Sequence, residues 1–175
     1  MIQKYSTYKI LELFFDFPTK IFGVREISRI SKLAQPSVKL HLDRLIKDKL
    51  VIKVKDRLYG GYKAHRESDL FKLLKQQNCV LRLNTYGVIQ YIIDTIQPKT
   101  IILFGSCSRG EDIETSDVDI FIEADEEKVN LKRYEEKMNR GINLFFKRKF
   151  EMLSIELKNN IINGVKLYGY LEVFE

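Results

Sequence analysis

Apolar positions recur with a helical period in the first part of the chain and with a strand period in the last. Tyr8, Leu11, Phe14 and Phe15 share one face of a helix predicted over Tyr5–Phe17, which Pro18 ends. Val24, Ile27 and Ile30 mark a second helix over Val24–Ser31, and Lys32-Leu33-Ala34 makes a short turn. Pro36 suits the first position of a third helix, where its missing N–H costs nothing, and Val38, Leu42, Leu45 and Ile46 form that helix's inner stripe. Val51–Lys55 and Leu58–Tyr62, alternating around Asp56-Arg57, predict a β-hairpin. Residues 66–86 keep a helical rhythm through Leu70, Phe71, Leu74, Val80, Leu81 and Leu83, and a further helix comes next over Val88–Ile96, stopped by Pro98.

Beyond it the period changes. Ile101–Phe104 is a short apolar strand cut off by Gly105-Ser106, and Val118, Ile120 and Ile122 alternate with acid on a second strand. Ala124–Arg140 is a highly charged, solvent-facing helix on this reading. Ile142–Phe146 is a third strand, Phe150–Asn163 an amphipathic helix (Leu153, Leu157, Ile161, Ile162), and Val165–Tyr168 a closing strand.

Charge also divides the chain. Residues 1–75 hold 17 Lys and Arg against 8 Asp and Glu; residues 76–175 hold 13 against 16. A basic first part and an acidic second part argue for two modules with different partners. Cys79 and Cys107 fit no metal-spacing pattern and no disulfide framework. No apolar run approaches the roughly 20 residues that cross a bilayer, and Lys4, Lys9, Glu12 and Asp16 interrupt any leader-like stretch. The expectation is a soluble, cytoplasmic chain without a membrane partner.

The chemistry gathers around the two strands. Asp117 and Asp119 lie two apart, so on a strand both carboxylates point the same way. Two like charges on one face call for a cation between them. Gly105 allows close backbone approach and Ser106 suits the cap of a helix starting near Cys107, whose first amides would face an anion such as a phosphate. A phosphate cradle beside paired carboxylates is what Mg²⁺ bound to a nucleoside triphosphate needs, because magnesium takes few protein carboxylates and the substrate's own phosphate oxygens.

Phe104-Gly105-Ser106, Arg109-Gly110 and Ser116-Asp117-Val118-Asp119-Ile120 together resemble the nucleotidyltransferase superfamily that includes DNA polymerase β, and most of all its minimal prokaryotic members, over roughly residues 87–170. The resemblance implies that Gly105, Ser106, Arg109 and Ser116 hold the triphosphate. It implies Asp117 and Asp119 as catalytic metal ligands, with Mg²⁺ (or Mn²⁺) as cofactor and ATP first among the nucleotides. The family pattern also asks for a third carboxylate on a later strand. That position holds Asn143, which cannot take up a proton; Glu123, at the far end of the acidic strand, and Glu151, beyond the third strand, are weaker substitutes.

Residues 5–65 resemble the winged helix-turn-helix domains of prokaryotic regulators, with Gln35–Leu42 similar to a recognition helix. That resemblance implies Gln35, Ser37, Lys39 and Arg44 facing the major groove of double-stranded DNA, and Lys53, Lys55, Arg57 and Lys63 on phosphates. The expected fold class is α+β: a winged helix-turn-helix at 1–65, a connecting helix at 66–86, and a small mixed sheet with helices, nucleotidyltransferase-like, at 87–175. Two functions stay open, beside a purely structural role in a two-protein complex. One is a DNA-binding protein whose second domain transfers a nucleoside monophosphate to a hydroxyl; the other is a transcription regulator whose degenerate domain only senses nucleotide. A homodimer or a separate partner protein is expected in either case.

Overall fold

The computed structural model describes residues 6–55 and 60–173. The chain is mixed α+β and divides into two compact units, Met1–Leu73 and Leu74–Glu175. The division falls inside one helix.

The first unit runs α1 (Ser6–Asp16), α2 (Val24–Ser31), α3 (Gln35–Lys47), β1 (Val51–Val54) and β2 (Gly61–Ala64), then enters α4 (Asp69–Thr85). Its core is aromatic. Phe14, Phe15, Phe22 and Phe71 are all buried, with Phe14 edge-on to Phe22 at 5.4 Å and Phe15 tilted on Phe71 at 5.3 Å. Each such side chain withdrawn from water contributes about 1.5–3 kcal/mol before the entropy of ordering is subtracted. β1 and β2 pair antiparallel, Val51 opposite Ala64 and Val54 opposite Gly61. Phe22 extends the pairing with a two-way backbone bridge to Tyr62.

Three expectations shift here. Ile30 lies exposed on α2 while Ser31 is buried, its hydroxyl donating to the Ile27 carbonyl at 2.7 Å. Pro36 is the second residue of α3. The second hairpin strand runs past Tyr62 to Ala64, and bare backbone at Gly61 lets it pass over Ile21, whose Cγ2 a side chain there would strike. Tyr5, the turn expected at Asp56-Arg57, and Leu58 and Tyr59 lie outside the described residues.

The second unit holds the rest of α4, then α5 (Val88–Ile96), β3 (Thr100–Phe104), β4 (Val118–Glu123), α6 (Lys132–Met138), β5 (Ile142–Lys147), α7 (Ile155–Ile162) and β6 (Val165–Gly169). The sheet order is β5-β4-β3-β6, with β4–β5 parallel and the other pairs antiparallel. Ile101, Leu103, Val118, Ile120, Ile122 and Ile142 cover one face and pack with Leu83, Ile89, Ile92 and Met138 from the helices. The other face carries Ile102, Phe104 and Phe121 under Phe150, Leu153 and Ile161.

The charged 124–140 segment is helical only from Lys132, and Tyr134 and Met138 are buried, so it does not stand free in solvent. Asn130 Oδ1 accepts the Lys132 amide at 3.2 Å and starts the helix there. The 150–163 segment likewise breaks, into a turn at Phe150–Met152 and α7, which Ser154 caps by accepting the Leu157 amide. Among the described residues no helix is long and apolar enough to cross a membrane.

Candidate functional site

The antiparallel register of β3 and β4 sets Phe104 opposite Asp119, so the Gly105-Ser106 turn leaves β3 beside Asp117 and Asp119. The parallel register of β4 and β5 sets Asn143 opposite Asp119. Three strands thus bring to one patch residues 12 to 38 positions apart in the chain. The Asn143 Nδ2 group donates to Asp117 Oδ2 at 3.2 Å and to Asp119 Oδ1 at 3.1 Å. One amide therefore ties the two carboxylates together.

Beneath them lie two glycines. A Cβ on Gly105, whose φ is +72°, would meet Asp119 Oδ2 at 2.6 Å; one on Gly141 would meet Asp117 Oδ1 at 2.5 Å. Each carboxylate rests where a side chain would otherwise sit. The donor set, carboxylate oxygens, suits a hard divalent cation such as Mg²⁺. Among the described residues no group of three or more His, Cys, Asp or Glu is placed to hold a metal, so this pair would need oxygens from elsewhere to complete a coordination shell.

The other candidates surround this pair at varying distance. Ser106 makes no side-chain cap, and the chain after it forms a single tight turn, Cys107–Arg109, rather than an extended helix. The Ser106 carbonyl accepts from the amides of Arg109 and Glu111, and the Ser108 hydroxyl donates to Gly105 O, so the turn is closed by its own backbone. Arg109 is exposed and its Nε donates to Glu111 at 2.8 Å. The Ser116 hydroxyl accepts the Ile113 amide at 2.9 Å and so holds the turn that presents Asp117. Cys107 is a buried packing residue whose thiol pKa is pushed up by hydrogen bonding with Cys79 and by burial.

Glu123 is on the same strand face as Asp119 but at the far end of β4, opposite Lys147. It is buried, its Oε2 has no hydrogen-bond partner among the described residues, and burial holds its pKa above the usual carboxylate range despite Lys99 nearby. The folded state therefore binds this proton more readily than the unfolded chain does. Its contribution is fully favourable below about pH 4.5 and is lost as pH rises through the raised value. Glu123→Gln is expected to unfold at a higher temperature than wild type at pH 8, with the gap closing toward pH 4, as thermal melts across that range would show. Glu151 sits exposed on the Phe150–Met152 turn, away from the pair.

The loop carrying Asp117 is anchored by groups that the apolar pattern concealed. Asp112, 5% exposed, pairs through Oδ2 with Lys75 Nζ of α4 at 3.0 Å and with Arg140 at 3.2 Å, both nearly inaccessible. Lys75 also donates to Asp112 O, Arg140 to the carbonyls of Ile113 and Ser116, and Gln76 to Ser108 O. A signal existed: Lys75 falls four residues after Phe71 and eight before Leu83, on the buried stripe of its helix. A lysine on such a stripe needs a partner.

In the first unit, Gln35, Lys39 and Arg44 are exposed and Ser37 is half-buried. At 3.6 residues per turn, Gln35 and Lys39 lie on one flank of α3 and Ser37 and Arg44 on the other, with Leu40 and Asp43 on the crest between. Lys53 and Lys55 are exposed, Lys63 is half-buried opposite Ile52, and Arg57 lies outside the described residues.

Residues 88–165 match the family model of the nucleotidyltransferase domain. Two solved structures are similar to the chain. One, a toxin–antitoxin with AMP-PNP, is 25% identical with a TM-score of 0.40, over 50% of this chain and 75% of that one. The other, a mutant of the toxin–antitoxin MntA-HpeT, is 20% identical with a TM-score of 0.37, over 49% and 72%. No match was found among curated proteins. Strand, glycine turn and paired aspartates all fall within residues 88–165, the stretch that is similar to the nucleotidyltransferase domain.

Proposed function

We propose that the second unit binds a nucleoside triphosphate, ATP first, together with Mg²⁺ at Asp117 and Asp119, and that it transfers the nucleoside monophosphate to a hydroxyl with release of pyrophosphate. The observation that carries this reading is the convergence of Asp117, Asp119 and the Gly105 turn on one end of the sheet. Asp117 and Asp119 would hold the metal. When bound, it neutralises the triphosphate oxygens and makes the α-phosphorus open to attack. The turn at Gly105-Ser106 would seat the phosphates, and Arg109, by leaving Glu111, would reach one of them. In the transfer an acceptor oxygen–phosphorus bond forms as the bond to pyrophosphate breaks, and the acceptor's proton leaves to a base. Of the side chains facing the site, Asn143 cannot be that base.

Asn143 favours a second reading, a domain that binds nucleotide without turnover and reports it to the first unit. In either reading the first unit would act as a winged helix on double-stranded DNA. Its helices and hairpin leave Lys39, Arg44, Lys53 and Lys55 exposed, and binding of this kind should weaken steeply with salt. A separate protein supplying the hydroxyl, or a second copy of the chain, completes the proposal.

Calorimetry with Mg²⁺ and a non-hydrolysable ATP analogue tests the core of it. Wild type should bind, and Asp117→Ala and Asp119→Ala should each weaken binding by at least about 10–100-fold, the loss that follows from removing even a group that only supports a metal ligand. Absence of binding by the wild type rejects the reading. Incubation with α-labelled ATP then separates transfer from sensing, since only the enzyme leaves label on an acceptor.

A further inference from the structure

Asn143 does something more specific than leave a carboxylate out. We propose that its amide stands in for a cation between Asp117 and Asp119, so that a divalent metal is kept out of the site until a nucleotide brings its own phosphate oxygens. The inference rests on the metal–nucleotide reading above and concerns the order in which that site fills.

The geometry supplies each part. Both hydrogens of Nδ2 are engaged, one on each carboxylate, at 3.2 and 3.1 Å. Hydrogen bonds to ionised acceptors are the stronger kind, and here two of them relieve the repulsion between like charges. On the side away from the amide each carboxylate lies against a glycine, one oxygen taking the space a Cβ on Gly105 or Gly141 would fill. A metal approaching the pair alone meets one oxygen of each carboxylate already held by the amide, and a nitrogen that cannot ligate. To enter it must turn the Asn143 amide away, and it recovers only two protein ligands. With a triphosphate present the phosphate oxygens add ligands and negative charge, and exposed Asn143 is free to rotate so that Oδ1 faces the ion. An aspartate on this strand position would do the reverse. Three carboxylates with no donor among them would draw a metal in by themselves.

The test is a titration of Mn²⁺, followed by the electron paramagnetic resonance signal of the free ion, on wild type, Asn143→Asp and Asn143→Ala. With metal alone, Asn143→Asp is expected to bind Mn²⁺ about tenfold or more tightly than wild type, because affinity follows the charge of the ligand set. Asn143→Ala, which removes the amide and adds no charge, should fall between them. Melting temperature gives a second readout. In EDTA both variants should melt below wild type, and Mn²⁺ alone should restore Asn143→Asp. If wild type binds Mn²⁺ alone as tightly as the two variants, or if neither variant gains affinity, the inference is overturned. A separate titration with the non-hydrolysable ATP analogue judges the underlying reading. If no protein binds the analogue while the metal-alone ranking holds, nucleotide binding fails and the role of the amide stands.

Discussion

Replacing Asp112 with alanine is expected to destabilise the second unit by about 3–5 kcal/mol, the loss typical of removing one partner from a buried ion pair. The reason lies in what remains. Lys75 and Arg140 keep their positions, 4% and 8% exposed in their side chains, with no carboxylate between them. Burial already holds the Lys75 pKa below its ordinary 10.5, and Asp112 is the main influence acting the other way. Without it the cost of the buried ammonium rises further. The pH dependence has a definite sign. A lysine whose pKa is lowered by folding destabilises the fold most while it is protonated, and that burden lifts as pH climbs through the depressed value toward 10.5. The deficit of Asp112→Ala should therefore be largest near neutral pH and shrink in alkaline buffer. Lys75→Met should cost less, because Asp112 retains Arg140. Urea denaturation of the three proteins at pH 7 and pH 10 measures all of this, and equal losses for Asp112→Ala and Lys75→Met would show that the three groups are not coupled as drawn.

The second large effect belongs to Gly105. Alanine there takes on a φ of +72°, at a cost of about 1–2 kcal/mol for an L-residue. It also places a methyl 2.6 Å from Asp119 Oδ2, a contact that must open before anything else can bind. Moving one carboxylate of the proposed metal pair should lower affinity for the magnesium–ATP analogue by about 10–100-fold. Gly87→Ala is the control. Its φ is +81°, with nothing within 4 Å of the added carbon, so it carries the strain without the collision. Gly105→Ala should lose at least as much stability as Gly87→Ala in a thermal melt, and it alone should lose affinity in calorimetry. Equal binding by the two would mean that the Gly105–Asp119 contact has no part in the site.

Both experiments act on features of unequal legibility. The paired aspartates are readable from the chain alone, because a period of two puts Asp117 and Asp119 on one face wherever the strand lies, and the apolar residues between them choose the opposite face for the core. The glycine turn is readable for a similar local reason: four apolar residues ahead of Gly-Ser end a strand. Asn143 stands at the place where the resemblance expects an acid, and the sheet register brings it to both carboxylates.

The departures from expectation have local causes too. The 124–140 segment has helix-favouring charges throughout, but Leu131 is drawn into the core and the helix starts after it at Lys132, whose amide Asn130 Oδ1 accepts. Spacing alone points Ile30 inward, whereas Ser31 takes the buried place by bonding its own helix.

What the order of residues determined by itself is therefore whatever depends on neighbours a few positions away: periodicity, turns, and the face on which each charge stands. What only the tertiary structure decided is which distant groups meet. Lys75, Asp112 and Arg140 come from a helix, a loop and a helix end up to 65 positions apart, and no local pattern links them. They are brought together because a charge shut away from water must find its opposite, and that demand is settled by packing in three dimensions. The amide of Asn143 between two carboxylates is the same rule at the site itself.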